Sequence, residues 1–121
     1  FFVAVCKPDF PISTPALFAR VDGVTITDRP DTDAMLAAIE HGDADTLCAN
    51  VRNVFEQALD GEQRERIATI KRDLLAYGAK TSAMTGSGSV VFGLFSDETS
   101  CRAACDALQS GSIQTFCTEF V

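Results

Sequence analysis

Residues 82–95 read Ser-Ala-Met-Thr-Gly-Ser-Gly-Ser-Val-Val-Phe-Gly-Leu-Phe, a Gly-Ser-Gly-Ser loop between a short apolar run and a longer one. The longer run, 90–95, joins β-branched to aromatic side chains, which suits a buried strand better than a helix. Two glycines around a serine permit positive φ, let another backbone or a phosphate approach closely, and leave several N–H groups free to point one way. The segment therefore predicts two strands gripping a flexible polar loop. Spacing alone favours an ordinary hairpin turn over a binding site, because Gly-Ser pairs close hairpins often and short glycine motifs recur by chance.

The rest of the chain predicts one strand and four helices before this hairpin, then a helix and a strand after it. Residues 1–6 are apolar and aromatic and stop at Lys7-Pro8, where proline ends a ladder. Ser13 or Thr14 caps a helix with Pro15 at its first position, which runs to about Val21 and stops at Gly23. Residues 24–31 are turn-like. Asp31 or Thr32 caps a second helix with Met35, Leu36 and Ile39 on one face and Gly42 after it. A third helix from about Ala44 carries Leu47, Val51, Val54, Phe55 and Leu59 at helical spacing. The fourth, 62–77, turns Ile67, Ile70 and Leu74 inward and its charged run 62–66 to solvent. Ser96 caps a fifth helix, with Asp97 and Glu98 in its first turn, Cys101, Cys105 and Leu108 as its stripe and Gly111 closing it. Residues 112–121 form the last strand. This order implies an α+β, ferredoxin-like split β-α-β fold: a four-stranded antiparallel sheet with helices on one face and extra helices in the first crossover. With no linker or repeat, residues 1–121 read as a single domain.

Met84 to Phe95 resembles the third motif of the GHMP kinase superfamily, in wording nearest the 4-diphosphocytidyl-2-C-methyl-D-erythritol kinase family. Lys7-Pro8-Asp9-Phe10-Pro11-Ile12-Ser13-Thr14-Pro15, Asn53-Val54-Phe55-Glu56, and Ile67 to Leu74 followed by Tyr77-Gly78-Ala79 resemble the same family in the same order. The resemblance implies the fold above and an ATP-dependent transfer of phosphate to the 2-hydroxyl of the cytidylated polyol. It also implies that ATP and Mg²⁺ are bound mainly by an N-terminal domain, since nothing here looks like that domain's nucleotide loop. The chain then reads as a C-terminal fragment, inactive alone, whose partners are its own N-terminal domain and the substrate. By the same resemblance Gly86, Ser87, Gly88 and Ser89 line the cleft, Thr14 brings a hydroxyl near the substrate, and Phe18 stacks on cytosine. Thr14 and Phe18 are four apart at a helix start and share a face; from the residues alone an N-cap threonine and a core phenylalanine explain them better. Two departures weaken the carry-over: Ser89-Val90 replaces the usual hydroxyl pair after the second glycine, and Ala19 stands where some members have a basic residue. Asn53 and Glu56 are expected to support the fold beside the cleft. The alternatives are another GHMP kinase, of homoserine or mevalonate type, and a non-enzymatic ligand-binding module on the same fold.

Composition removes other classes. A net charge of −7 without a basic run argues against nucleic acid and anionic membrane, and no apolar stretch is long enough to span a bilayer. The chain starts Phe1-Phe2-Val3, inside a predicted strand, which is the second reason to read a fragment. An apolar patch facing the missing domain is expected to favour self-association. The five cysteines include no Cys-x-x-Cys pair and fit a reduced, cytoplasmic protein. Cys101 and Cys105, one helical turn apart, read as small buried apolar residues, so no metal site is expected. His41, Asp31 and Asp33 are explained by helix ends.

Overall fold

The computed structural model describes residues 1–86 and 88–119. Strands β1 (Phe2–Pro8), β2 (Thr81–Met84), β3 (Val91–Phe95) and β4 (Ile113–Glu119) form one antiparallel sheet in the order β2-β3-β1-β4. Helices α1 (Thr14–Gly23), α2 (Thr32–His41), α3 (Ala44–Ala49) and α4 (Gly61–Ala76) occupy the first crossover, and α5 (Glu98–Leu108) the second. This is the expected split β-α-β sheet, with the first crossover enlarged.

Register decides which residues share a face. Cys6 lies opposite Val91, which lies opposite Met84, and Phe2 lies opposite Phe95. These side chains pack with Ile67, Ile70 and Leu74 of α4 and Cys101, Ala104 and Leu108 of α5 into the main core. Gly93 makes the fit possible: a Cβ there would sit 3.3 Å from the Cβ of Leu74. The opposite face carries Val3 and Leu94, against which Cys48 of α3 packs, so the enlarged crossover reaches around to cover part of it. No helix among the described residues is long and apolar enough to cross a membrane.

Several local expectations are corrected. β1 runs on to Pro8 because β3 stops opposite Cys6; at Pro8 the strand has a neighbour only in β4, where a missing N–H is tolerated. The third helix is not continuous. It ends at Ala49, and a 3₁₀ turn follows at Val54–Ala58. Polar side chains break it: the Asn50 amide donates to the Thr46 carbonyl and the Arg52 guanidinium to those of Ala49 and Val51. On α2 the buried residue is Ala38, while Leu36 and Ile39 are exposed, because α2 packs on the short α3 and small Ala38 lets them approach. Asp97, not Ser96, caps α5, its carboxylate accepting from the Ser100 N–H at 2.8 Å. Nor is 62–66 simply a solvated face: Arg66 pairs with Asp9 at 2.7 Å and lies 4.5 Å over the Phe10 ring.

Candidate functional site

The glycine loop closes the β2–β3 hairpin. The Thr85 N–H donates to the Val90 carbonyl at 2.7 Å and the Gly88 N–H to the Thr85 carbonyl at 2.9 Å. The expected set of free N–H groups is therefore reduced, since the amide of Gly88 has a partner inside the loop. Gly86 and Gly88 do take positive φ, +50° and +94°. The protein groups that approach Gly88 closely are side chains. A Cβ there would meet Ile12 Cδ1 at 2.5 Å and Met84 Sδ at 2.8 Å. Ser89 is buried, and Ser87 lies outside the described residues. The apolar letters of the motif serve the fold, with Met84, Val91 and Phe95 all fully buried.

What holds this loop comes from the segment that breaks the third helix. Asn53 Nδ2 donates to the carbonyls of Met84 and Gly86, each at 2.6 Å, and its Oδ1 accepts from the Phe55 N–H at 3.0 Å. Glu56 accepts from the Met84 N–H through one carboxylate oxygen, at 3.0 Å, and from Lys71 Nζ through the other, at 2.6 Å. Asn53 and Glu56, three residues apart, thus clamp the end of β2 and the first glycine. Turn-like segment 24–31 is tied to the same stretch: Gln57 bonds the Thr27 and Asp28 amides and the Asp28 carbonyl, and Arg52 pairs with Asp28 at 3.1 Å.

Phe55, between Asn53 and Glu56, connects the loop to α1. Its ring stands edge-on to that of Phe18, centroids 5.0 Å apart and planes at 83°. Such a pair adds about 0.5–1.5 kcal/mol beyond area burial and holds each ring in orientation. Phe18 remains 53% exposed, so it is not the core phenylalanine that its spacing alone suggests. Thr14 is the first residue of α1, after the cap Ser13, and is exposed one helical turn before Phe18. On the other side of Phe55 a groove of about 390 Å³ runs between Pro30, Val51, Ala83, Gly86 and Phe92. The structure therefore links Phe18 to Phe55, and Asn53, two residues before Phe55, to the Gly86 carbonyl, with Thr14 one helical turn before Phe18.

The Phe18 ring, braced by Phe55 and half-exposed, offers an aromatic face that suits holding a planar group. Among the described residues beside it, Glu56 is ion-paired with Lys71 and Arg52 with Asp28. His41 lies in the last turn of α2, and Asp31 caps that helix by accepting from the Ala34 N–H at 3.0 Å. Sequence reasoning missed the partnership of Phe18 with Phe55, which it assigned to a helical stripe. The sole hint was Asn53 at a spacing where a helix would have no use for it. It also missed Cys117, whose sulfur lies beside those of Cys101 and Cys105.

Residues 35–113 match the family described as GHMP kinases C terminal. The 4-diphosphocytidyl-2-C-methyl-D-erythritol kinase of Clostridium tetani is 35% identical over 94 residues, which are 78% of this chain and 33% of that protein. The enzyme of the same name from Syntrophomonas wolfei is 34% identical over 115 residues, 95% of this chain and 40% of that one. The chain spans about a third to two fifths of the length of these relatives. Among solved structures, a 4-(cytidine 5'-diphospho)-2C-methyl-D-erythritol kinase superposes with a TM-score of 0.72 at 21% identity, covering 97% of this chain and 41% of that one. Homoserine kinase from Cytophaga hutchinsonii superposes with a TM-score of 0.67 at 14% identity, covering 98% and 41%. At these identities the two structures speak for the fold alone.

Proposed function

The chain belongs to the GHMP kinase C-terminal family, and we propose that it is the substrate-side half of an ATP-dependent kinase acting on the 2-hydroxyl of 4-diphosphocytidyl-2-C-methyl-D-erythritol. The observation that carries this reading is Phe18, half-exposed and braced edge-on by Phe55. A cytosine stacked on such a ring gains about 1–3 kcal/mol. Phosphoryl transfer depends chiefly on positioning, so a fixed aromatic face far from the reacting hydroxyl contributes by holding the rest of the substrate in line. Thr14 would bond the substrate, and the loop at Gly86, Ser87, Gly88 and Ser89 would face the cleft. The names and greater length of the relatives support a second, N-terminal domain that supplies the ATP site and the catalytic groups. The described residues beside the loop do not fit a Mg²⁺ site, since both oxygens of Glu56 are engaged by Lys71 and the Met84 amide. Five unpaired cysteines support a reducing, cytoplasmic setting. A homoserine kinase reading shares the fold but has no base to place on Phe18.

The test is ATP consumption by the full-length protein offered the cytidylated polyol, homoserine and mevalonate in turn. Turnover is expected with the first alone. Phe18→Ala should raise KM about tenfold with kcat little changed, as expected when ground-state and transition-state binding are lost together. Turnover of homoserine or mevalonate instead would overturn the substrate assignment. Residues 1–121 by themselves are expected to consume no ATP and to self-associate, because Phe18, Leu36, Ile39 and Phe116 are left exposed. A strictly monomeric species by light scattering at high concentration would contradict the second part.

A further inference from the structure

We propose that Cys101, Cys105 and Cys117 form a binding site for one soft, thiophilic d¹⁰ cation, with monovalent copper as the cation that fits best. Helix α5 turns Cys101 and Cys105 toward the sheet one helical turn apart, and β4 brings Cys117 to meet them. The three Sγ atoms all lie within 4.8 Å of one another, and those of Cys101 and Cys117 are 3.1 Å apart. Three sulfurs around one cation, each at about 2.3 Å, stand about 4 Å from each other, so the observed triangle needs only small side-chain adjustments.

The donor set selects the cation. It is all sulfur, which excludes hard cations such as Mg²⁺ and Ca²⁺ and favours soft ones. Among the described residues no fourth ligand completes a tetrahedron, the usual demand of structural zinc. Cys6 of β1 is near enough for its thiol to interact with that of Cys105 but lies outside the triangle. Access is asymmetric. Cys101 and Cys105 are buried, while Cys117 is only partly buried on the edge strand and forms the point of entry.

Burial favours the protonated thiols of Cys101 and Cys105. It pushes the Cys105 thiol up to about 11 and the Cys101 thiol higher still. The Cys105 S–H donates to the Phe116 carbonyl at 3.3 Å. On binding, each thiol that bonds the cation releases its proton to solvent, and the thiolates formed offset the cation's charge. No electron is transferred. The bound cation would also cross-link α5 to β4, two elements otherwise joined by packing and by bonds such as Thr115 Oγ1 to the Cys105 carbonyl.

The site lies on the α5 side of the sheet, apart from the glycine loop, so its test is independent of kinase activity. Fully reduced full-length protein, handled without oxygen, is titrated with Cu(I) against bathocuproine disulfonate, a chromophoric Cu(I) chelator. Cys117→Ser and Cys105→Ser should each lose one tightly held equivalent relative to the unaltered protein. Cys48→Ser, on the other sheet face, should lose none. Cys117 is only partly buried and serine is close to it in size, so its variant is expected to fold; an unchanged circular dichroism spectrum checks this. X-ray absorption of the copper form should show sulfur neighbours only. Equal stoichiometry in the unaltered protein and both cluster variants, or an equal loss in Cys48→Ser, would overturn the proposal.

Discussion

Asn53→Asp is expected to lower the melting temperature of residues 1–121 by about 12 °C, more than Asn53→Ala does. The amide holds both ends of the loop's first half, donating to the Met84 and Gly86 carbonyls at 2.6 Å. A carboxylate keeps the acceptor for the Phe55 N–H but has no hydrogen to donate, so its second oxygen would face two carbonyl oxygens. Losing two bonds and adding that repulsion costs about 3 kcal/mol, and each kcal/mol shifts the midpoint of a domain of this size by about 4 °C. Asn53→Ala removes the bonds without the repulsion and costs about 2 kcal/mol. The sign of the pH dependence separates the two variants. Facing carbonyls raises the new carboxyl's folded-state pKa above its unfolded value of about 3.9, since its protonated form can donate one bond. The penalty is therefore full above the folded pKa and shrinks as pH falls through it. Thermal melts from pH 7 to pH 3, each relative to the parent chain, measure this. A difference from the parent that does not narrow on acidification would show that Asn53 does not act through its donors.

Gly88→Ala is the second large effect, with an expected cost of about 2–4 kcal/mol. A φ of +94° is strained for any residue with a Cβ, at about 1–3 kcal/mol. That Cβ would also point into Ile12 and Met84. Met84 is fully buried, so moving its sulfur disturbs the core where β2 meets β3, a disturbance that adds about 1 kcal/mol or more. The control is Gly86→Ala. Its φ of +50° lies in the left-handed region and a Cβ there meets nothing within 4 Å, so about 1 kcal/mol is expected. Urea unfolding of the three chains should rank parent, Gly86→Ala, Gly88→Ala in falling midpoint. Equal midpoints for the two variants would mean that backbone strain alone governs the loop.

Wherever pattern and packing agree, the fold was legible. The stripe Ile67, Ile70, Leu74 on α4 is buried as its spacing requires, and Val91 to Phe95 form a strand as β-branched and aromatic residues should. The third helix was misread where polar side chains act on the backbone. The apolar spacing of Leu47, Val51, Val54, Phe55 and Leu59 suits a helix, yet Asn50 and Arg52 bond the carbonyls around its end at Ala49, and Asn53 fixes the segment that follows by bonding residues more than thirty positions later. Periodicity records only which residues are apolar, and it cannot register a distant partner for an amide.

The amino-acid sequence by itself determined the order of strands and helices, the hairpin with its glycine loop, and through its motifs the family. These follow from local preference and short-range spacing, which need no knowledge of distant contacts. The tertiary structure alone decided that Phe18 is exposed and braced by Phe55, that Gly88 is closed by side chains, and that Cys117 completes a triangle with Cys101 and Cys105. Each depends on elements distant in sequence meeting across the sheet or the crossover, where register and packing set the distances.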